Sequence, residues 1–177
     1  VISSGSVWLT NSTATLESLT LDGGKLTWSN WTTCLTATNV YINGGSVTCA
    51  GPFTDAAMSN RVYFACSNLY LAAGAAIDVD TNGYSGGLVG GASGFGPGHG
   101  YPTAGNRGSG GSYGGQAGNT QFRVDISSAP PYGLADSPTD PGSGGGTGGA
   151  TAPGGHGGGV VRIDAGGGNV TINGTIT

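Results

Sequence analysis

The sequence predicts an all-β chain: a short right-handed parallel β-helix, or solenoid, bearing a glycine-rich, polyglycine-II-like excursion. Three observations carry this expectation. The 177 residues include 39 glycines and only 8% charged residues, and the rest is rich in serine, threonine, asparagine and valine. Such side chains suit a pleated strand, while each glycine costs a helix about 1 kcal/mol. A two-strand motif with a glycine turn recurs through residues 1–81, and 28 of the 39 glycines crowd into residues 83–159.

The motif shows best in two copies. Leu19-Thr-Leu21-Asp-Gly-Gly-Lys-Leu26-Thr-Trp28 aligns with Val40-Tyr-Ile42-Asn-Gly-Gly-Ser-Val47-Thr-Cys49 at an offset of 21 residues. A third copy, Leu69-Tyr-Leu71-Ala-Ala-Gly-Ala-Ala-Ile77-Asp-Val79, follows 29 residues later with one extra residue in its turn. Gly5-Ser-Val7-Trp-Leu9 resembles the second half of an earlier copy. Each copy reads as two period-two strands that cannot bury a core alone. Stacking copies in parallel solves this, with Leu19, Val40 and Leu69 forming one inward ladder and Leu21, Ile42 and Leu71 another. A sandwich of antiparallel hairpins competes, because two-glycine turns suit hairpins as well. The in-phase ladders favour the solenoid.

One domain is expected over 1–177, with coils at 1–81, the excursion at 82–159 and a returning coil at 160–177. Within the excursion glycines recur at every third position, as in Gly108, Gly111 and Gly114 or Gly142, Gly145 and Gly148. That is the period of an extended three-residue helix whose backbones can touch. Phe95, Tyr101, Tyr113, Tyr132 and a short strand over 121–126 would anchor it, where a flexible linker would have no anchors. The repeat returns as Val161-Arg-Ile163-Asp-Ala-Gly-Gly-Gly-Asn-Val170-Thr-Ile172-Asn-Gly, and the last residues read as strand.

Charge and hydropathy narrow the partners. The net charge is -4 and the five basic residues, Lys25, Arg61, Arg107, Arg123 and Arg162, are scattered along the chain, so nucleic acid is not expected. No apolar run approaches the ~20 residues of a membrane span, and no membrane insertion is expected. The absence of an initiator methionine suggests a removed leader or an excerpt. Sequons at Asn11, Asn30, Asn169 and Asn173 fit a secreted, glycosylated chain at the cell surface or beyond it. Cys34, Cys49 and Cys66 match no zinc spacing. A Cys34–Cys66 disulfide between successive coils, leaving one thiol, is the expected pairing.

One family resemblance follows from the order of motifs: Ile77-x-Val79-x-x-x-Gly83-Tyr84-x-Gly-Gly, glycine-rich sequence, Tyr132-Gly133, Pro138, Gly142-Ser-Gly-Gly-Gly146, Gly154-Gly-His-Gly-Gly-Gly-Val160-Val-Arg-Ile163 and Val170-Thr-Ile172-Asn-Gly-Thr-Ile176. This order resembles a glycine-rich β-helix repeat found in large secreted surface proteins of bacteria and some eukaryotes, over about residues 69–177. The resemblance implies a coil with a glycine-rich excursion and supplies no catalytic residues. The chain departs from it in being short and in carrying cysteines.

Candidate chemistry is sparse. Asp78-Val-Asp80-Thr-Asn82-Gly83 matches the first half of a calcium loop, with alternating oxygen ligands and a glycine, but Val89 stands where the bidentate glutamate belongs. Calcium through Asp78, Asp80 and Asn82 is the one cofactor expectation; otherwise none is expected. Asp78 with Asp80, at i and i+2, or Asp136 with Asp140 would be the carboxylate pairs of a glycoside hydrolase or polysaccharide lyase. Turn aspartates in solvent explain them as well. His99 and His156 each sit between glycines, where imidazole packs, bonds a carbonyl or binds a metal. No nucleophile elbow or phosphate loop is present. Trp8, Trp28, Trp31, Tyr41 and Tyr70 would make a sugar-stacking platform if they faced outward, but core or ladder packing is the favoured reading for most of them, and the alternation of Leu19, Leu21, Leu26 and Trp28 places Trp28 inward.

The expected function is an extracellular structural module, a subunit of a self-assembling filament or surface layer or an adhesive surface protein, with itself as end-to-end partner and no catalytic residues. The alternative is a glycan-binding or glycan-cleaving β-helix. Ice binding through threonine rows fits less well, because the repeat offsets are irregular.

Overall fold

A computed structural model of the chain describes residues 1–54, 58–103, 107–118, 129–149 and 151–177. The strand expected over 121–126 lies outside them. The described residues form strands, turns and irregular segments with no helix. They divide into two compact units: Val1–Ala50 with Asn60–Val79 and Val161–Thr177, and Gly51–Ser59 with Asp80–Val160. The glycine-rich stretch thus forms a unit of its own, joined by a short segment from the first third of the chain.

The first unit is one eight-stranded sheet that does not close on itself. Its strands are β1 (Ser6–Leu9), β2 (Leu16–Trp28), β3 (Leu35–Cys49), β4 (Val62–Leu71) and β5 (Ala76–Ile77), then β8 (Val161–Ala165), β9 (Val170–Ile172) and β10 (Thr175–Ile176). Every pairing in it is parallel. This decides against the hairpin sandwich, whose neighbouring strands would run antiparallel. The register matches the ladders read from the sequence: Leu19 pairs Val40, which pairs Leu69 and then Val170; Leu21 pairs Ile42, then Leu71 and Ile172. A third ladder runs through Val7, Leu26, Val47, Ile77 and Ile176. β1 lies beside the second half of β2, as its likeness to a half copy implies.

Alternation explains which face is buried. Leu21, Ile42, Leu71, Val40, Val47 and Ile77 have no more than a trace of exposure, and Trp28 packs edge-on against Phe64 with ring centroids 4.9 Å apart. Each of these large side chains contributes about 1.5–3 kcal/mol by leaving water, and the parallel register sums them along one continuous core.

The turns stack as well as the strands. Gly5, Gly24 and Gly45 immediately precede the register-matched Ser6, Lys25 and Ser46, and all three have φ between 74° and 77°. A Cβ at Gly45 would overlap the Gly24 carbonyl, so both the dihedral and the close approach require glycine. Beside them the Asn43 amide donates to Asp22 at 2.7 Å, one turn side chain above the next. In the third copy four residues separate Leu71 from Ala76 where three separate Ile42 from Ser46, and there the long strand breaks into β4 and β5.

The second unit has another logic. It contains one small antiparallel pair, β6 (Pro102–Thr103) with β7 (Arg107–Gly108), and is otherwise held by extended glycine segments bonded backbone to backbone. Segment 142–148 donates from Gly142 to Gly158, from Gly145 to Gly155 and from Gly148 to Ala152, three residues apart each time. Between these donors Gly144 bonds Phe95 and Gly146 bonds Ser109, while Tyr84 and Gly87 donate to Gly142 and Gly145. Four other segments therefore surround this one. At its closest approaches the spacing tolerates no side chain: a Cβ on Gly157 would overlap the Gly142 carbonyl, and one on Gly144 the Ser85 carbonyl.

Buried hydroxyls and tyrosines supply what the glycines lack. Ser143 Oγ accepts from Gly98 and donates to the Tyr132 hydroxyl, which donates to the Pro141 carbonyl. Tyr113 packs edge-on against Tyr132, and Phe53 against Tyr84 with centroids 4.7 Å apart. Burial pushes the Tyr132 phenol up to about 12. Tyr113 and Tyr132 are thus anchors, as the sequence suggested.

Candidate functional site: the open edges and outer face of the ladder sheet

Both edges of the first unit expose residues of the inward ladders. At one edge, β1 presents Val7 at 38% exposure, beside a half-buried Ile2 that pairs with Leu21. At the other, β9 and β10 present Ile172 at 48% and Ile176 at 38%. These belong to shared ranks: Ile2 and Ile172 end the ladder of Leu21, Ile42 and Leu71, while Val7 and Ile176 end that of Leu26, Val47 and Ile77. Each edge also carries backbone donors and acceptors that parallel pairing uses up only on its inner side.

The three residues expected to hold calcium fall at the boundary between the two units. Asp78 belongs to the first unit, where its carboxylate accepts from the Thr177 hydroxyl at 3.3 Å, whereas Asp80 and Asn82 belong to the second. Strand β5 ends at Ile77, so Asp78 and Asp80 lie beyond it and do not share a strand face. Among the described residues no three His, Cys, Asp or Glu side chains are grouped to hold a metal. Asp140 lies beside the Tyr113 hydroxyl, which accepts its backbone N–H at 3.3 Å, and Asp136 is exposed.

The histidines are tied to glycine backbone. His156 Nδ1 accepts from Gly86 N–H at 2.9 Å, which places its proton on Nε2. His99 Nδ1 lies 2.9 Å from the Gly96 carbonyl and must donate, and its ring packs edge-on against Tyr101.

The five aromatic residues weighed as a platform divide between core and surface. Trp28 is fully buried in the core, because its alternation puts it on the inward face with Leu26, and its Nε1 has no hydrogen-bond partner. This is the inward position that the alternation of Leu19, Leu21, Leu26 and Trp28 predicts. Trp8 is 59% exposed on β1, and Tyr41 and Tyr70 are register neighbours at 40% and 38% exposure on the outward face of β3 and β4.

None of the three cysteines is in a disulfide, so the expected Cys34–Cys66 bridge is not formed. Register places Cys66 beside Ala37, three residues past Cys34. Cys49 caps the rank of Trp28, and burial pushes its thiol up to about 12. All four sequon asparagines are exposed. At Asn30 the side-chain oxygen accepts from both the backbone N–H and the hydroxyl of Thr32, at 3.1 Å each.

One constellation was invisible as sequence. Arg61, just ahead of β4, lays its guanidinium over Trp31 at 4.7 Å and over Tyr63 at 4.8 Å. Arg162 on β8 stands over the same Tyr63 ring at 4.8 Å. Arg162 grips Asp164 through Nε and a terminal nitrogen at 2.7 Å, and the Tyr63 hydroxyl donates to the same carboxylate at 2.8 Å. The Arg162 and Tyr63 bonds hold Asp164 below the usual carboxylate range. Arg61 and Arg162 are 101 residues apart, so the basic residues look scattered until β4 pairs Tyr63 with Arg162.

No family model, curated protein or solved structure matches the chain.

Proposed function

We propose that the chain is an extracellular structural module whose ladders continue from one copy into the next, building a filament or surface layer. The observation that carries this reading is the identity of the two open edges: Ile2 and Val7 end the very ladders that Ile172 and Ile176 end at the far side. A second copy placed with its β1 against β10 sets Ser6 beside Thr175 and Val7 beside Ile176. It thereby extends the existing register by one more parallel pairing and covers the exposed isoleucines. Contact between different surfaces of identical copies propagates as a fibre unless its rotation closes a ring. Stacked this way the sheet is a right-handed parallel β-helix, and residues 80–160 are a polyglycine-II-like excursion from one of its coils. The resemblance to exported glycine-rich repeats and the four exposed sequons support a place outside the cell. Ladder residues at the edges leave no need for catalytic groups, cofactor or nucleic acid in this role.

Edge-blocking variants test the reading. Wild-type protein should form filaments visible by negative-stain electron microscopy. Val7→Lys and Ile176→Lys should each stay monomeric, since a buried lysine blocks one edge, yet an equimolar mixture should give discrete dimers through the two intact edges. Dispersed wild-type monomers at high concentration, or filaments from either variant alone, would overturn it.

A further inference from the structure

The outward cluster of Trp31, Arg61, Tyr63, Arg162 and Asp164 holds more positive charge than it can neutralise. Asp164 is spent on Arg162 and the Tyr63 hydroxyl. Two guanidiniums against one carboxylate leave one positive charge in excess, in a chain of net charge -4. That excess sits on Arg61, whose guanidinium rests on ring faces and whose Nε is buried with no hydrogen-bond partner. A guanidinium stacked between rings keeps its in-plane N–H fork as the recognition edge, and that fork matches an oxyanion. Arg162 nearby adds repulsion that only an anion relieves, and burial with this repulsion lowers the Arg61 pKa from its ordinary value.

We infer that this cluster is a binding site for a singly charged oxyanion, a carboxylate or sulfate group carried on an acidic polysaccharide. One excess charge fits one such group and gives no purchase on the dense phosphates of nucleic acid. The half-exposed Trp31 indole beside the fork adds an apolar surface of the kind that packs against the carbon face of a pyranose. The site lies on the outward sheet face of β4 and β8, the end strand of the sheet, and includes neither Val7 nor Ile176 of the proposed end-to-end contact.

Affinity electrophoresis of the full chain tests this with four immobilised polymers: polygalacturonate, dextran sulfate, neutral dextran and polyglutamate. The two anionic glycans should retard the protein and neutral dextran should not, with retardation fading as salt screens the pair. Arg61→Gln should weaken binding at least about tenfold, the loss expected on removing a charge-assisted fork of about 1.5–3 kcal/mol. Asp164→Asn, an exposed isosteric change that frees Arg162, should tighten binding severalfold and keeps the test decisive if Arg61→Gln is poorly folded. Unchanged binding by Asp164→Asn, equal retardation of wild type by neutral dextran, or polyglutamate held as tightly as the glycans would overturn the assignment.

Discussion

Among single residues, the ones that matter most are those whose backbone or burial allows no substitute. Gly45 and Gly74 both have left-handed dihedrals, φ +77° and +86°, but a Cβ at Gly45 meets the Gly24 backbone while one at Gly74 meets open space. Gly74→Ala should therefore cost about 1–2 kcal/mol from the dihedral alone. Gly45→Ala should cost a further ~1–3 kcal/mol from overpacking, and chemical denaturation of the two variants side by side measures the difference. Cys49 makes a pH prediction. Its folded thiol is raised from 9.0 to about 12, chiefly by burial, so the unfolded chain loses this proton first. Its contribution to stability is complete below pH 9 and declines as pH rises from 9.0 toward about 12. Thermal melts across that range should fall more steeply for wild type than for Cys49→Ala.

Elements differ in what holds them. In β2, β3 and β4 the side chains do the work: leucine, isoleucine and valine recur at period two and stack in register, and the backbone follows. In the glycine segments of 80–160 the backbone does the work, and side chains are excluded wherever carbonyls come close. The contrast is testable within one segment. Gly157→Ala drives a Cβ into the Gly142 carbonyl and should destabilise by ~1–3 kcal/mol. Gly155→Ala, with open space at its Cβ and no left-handed dihedral, should be neutral or stabilise by about 0.4–1 kcal/mol through the unfolded state. Amide exchange over 142–158 reads both: faster in the first variant, unchanged or slower in the second.

For the molecule as a whole the balance is between apolar edges and sparse charge. A net charge of -4 over 177 residues sets up little repulsion between copies, and at physiological salt it is screened beyond about 8 Å. Association through Val7 and Ile176 should therefore persist as salt rises, because apolar burial does not weaken with ionic strength. Binding at Arg61 should fade over the same range. The edge-blocked pair and the glycan gels thus separate the two surfaces, one apolar and salt-tolerant, the other ionic.

The sequence by itself determined the strand class, the ladders and the turn positions. Alternation at period two and the Asp22-Gly-Gly and Asn43-Gly-Gly repeats are local facts, and parallel stacking is the arrangement in which they bury a continuous core. It also marked 82–159 as a different material, because glycine density is read directly. Tertiary structure alone decided that Gly51–Ser59 join the glycine-rich unit. It alone brought Arg61 near Arg162, 101 residues away in sequence, since the pairing of β4 with β8 sets Arg162 beside Tyr63 and no local pattern encodes the length of that return. Periodicity fixes which way a side chain faces; which distant strand it faces beside is set by register, a property of the stacked coils together.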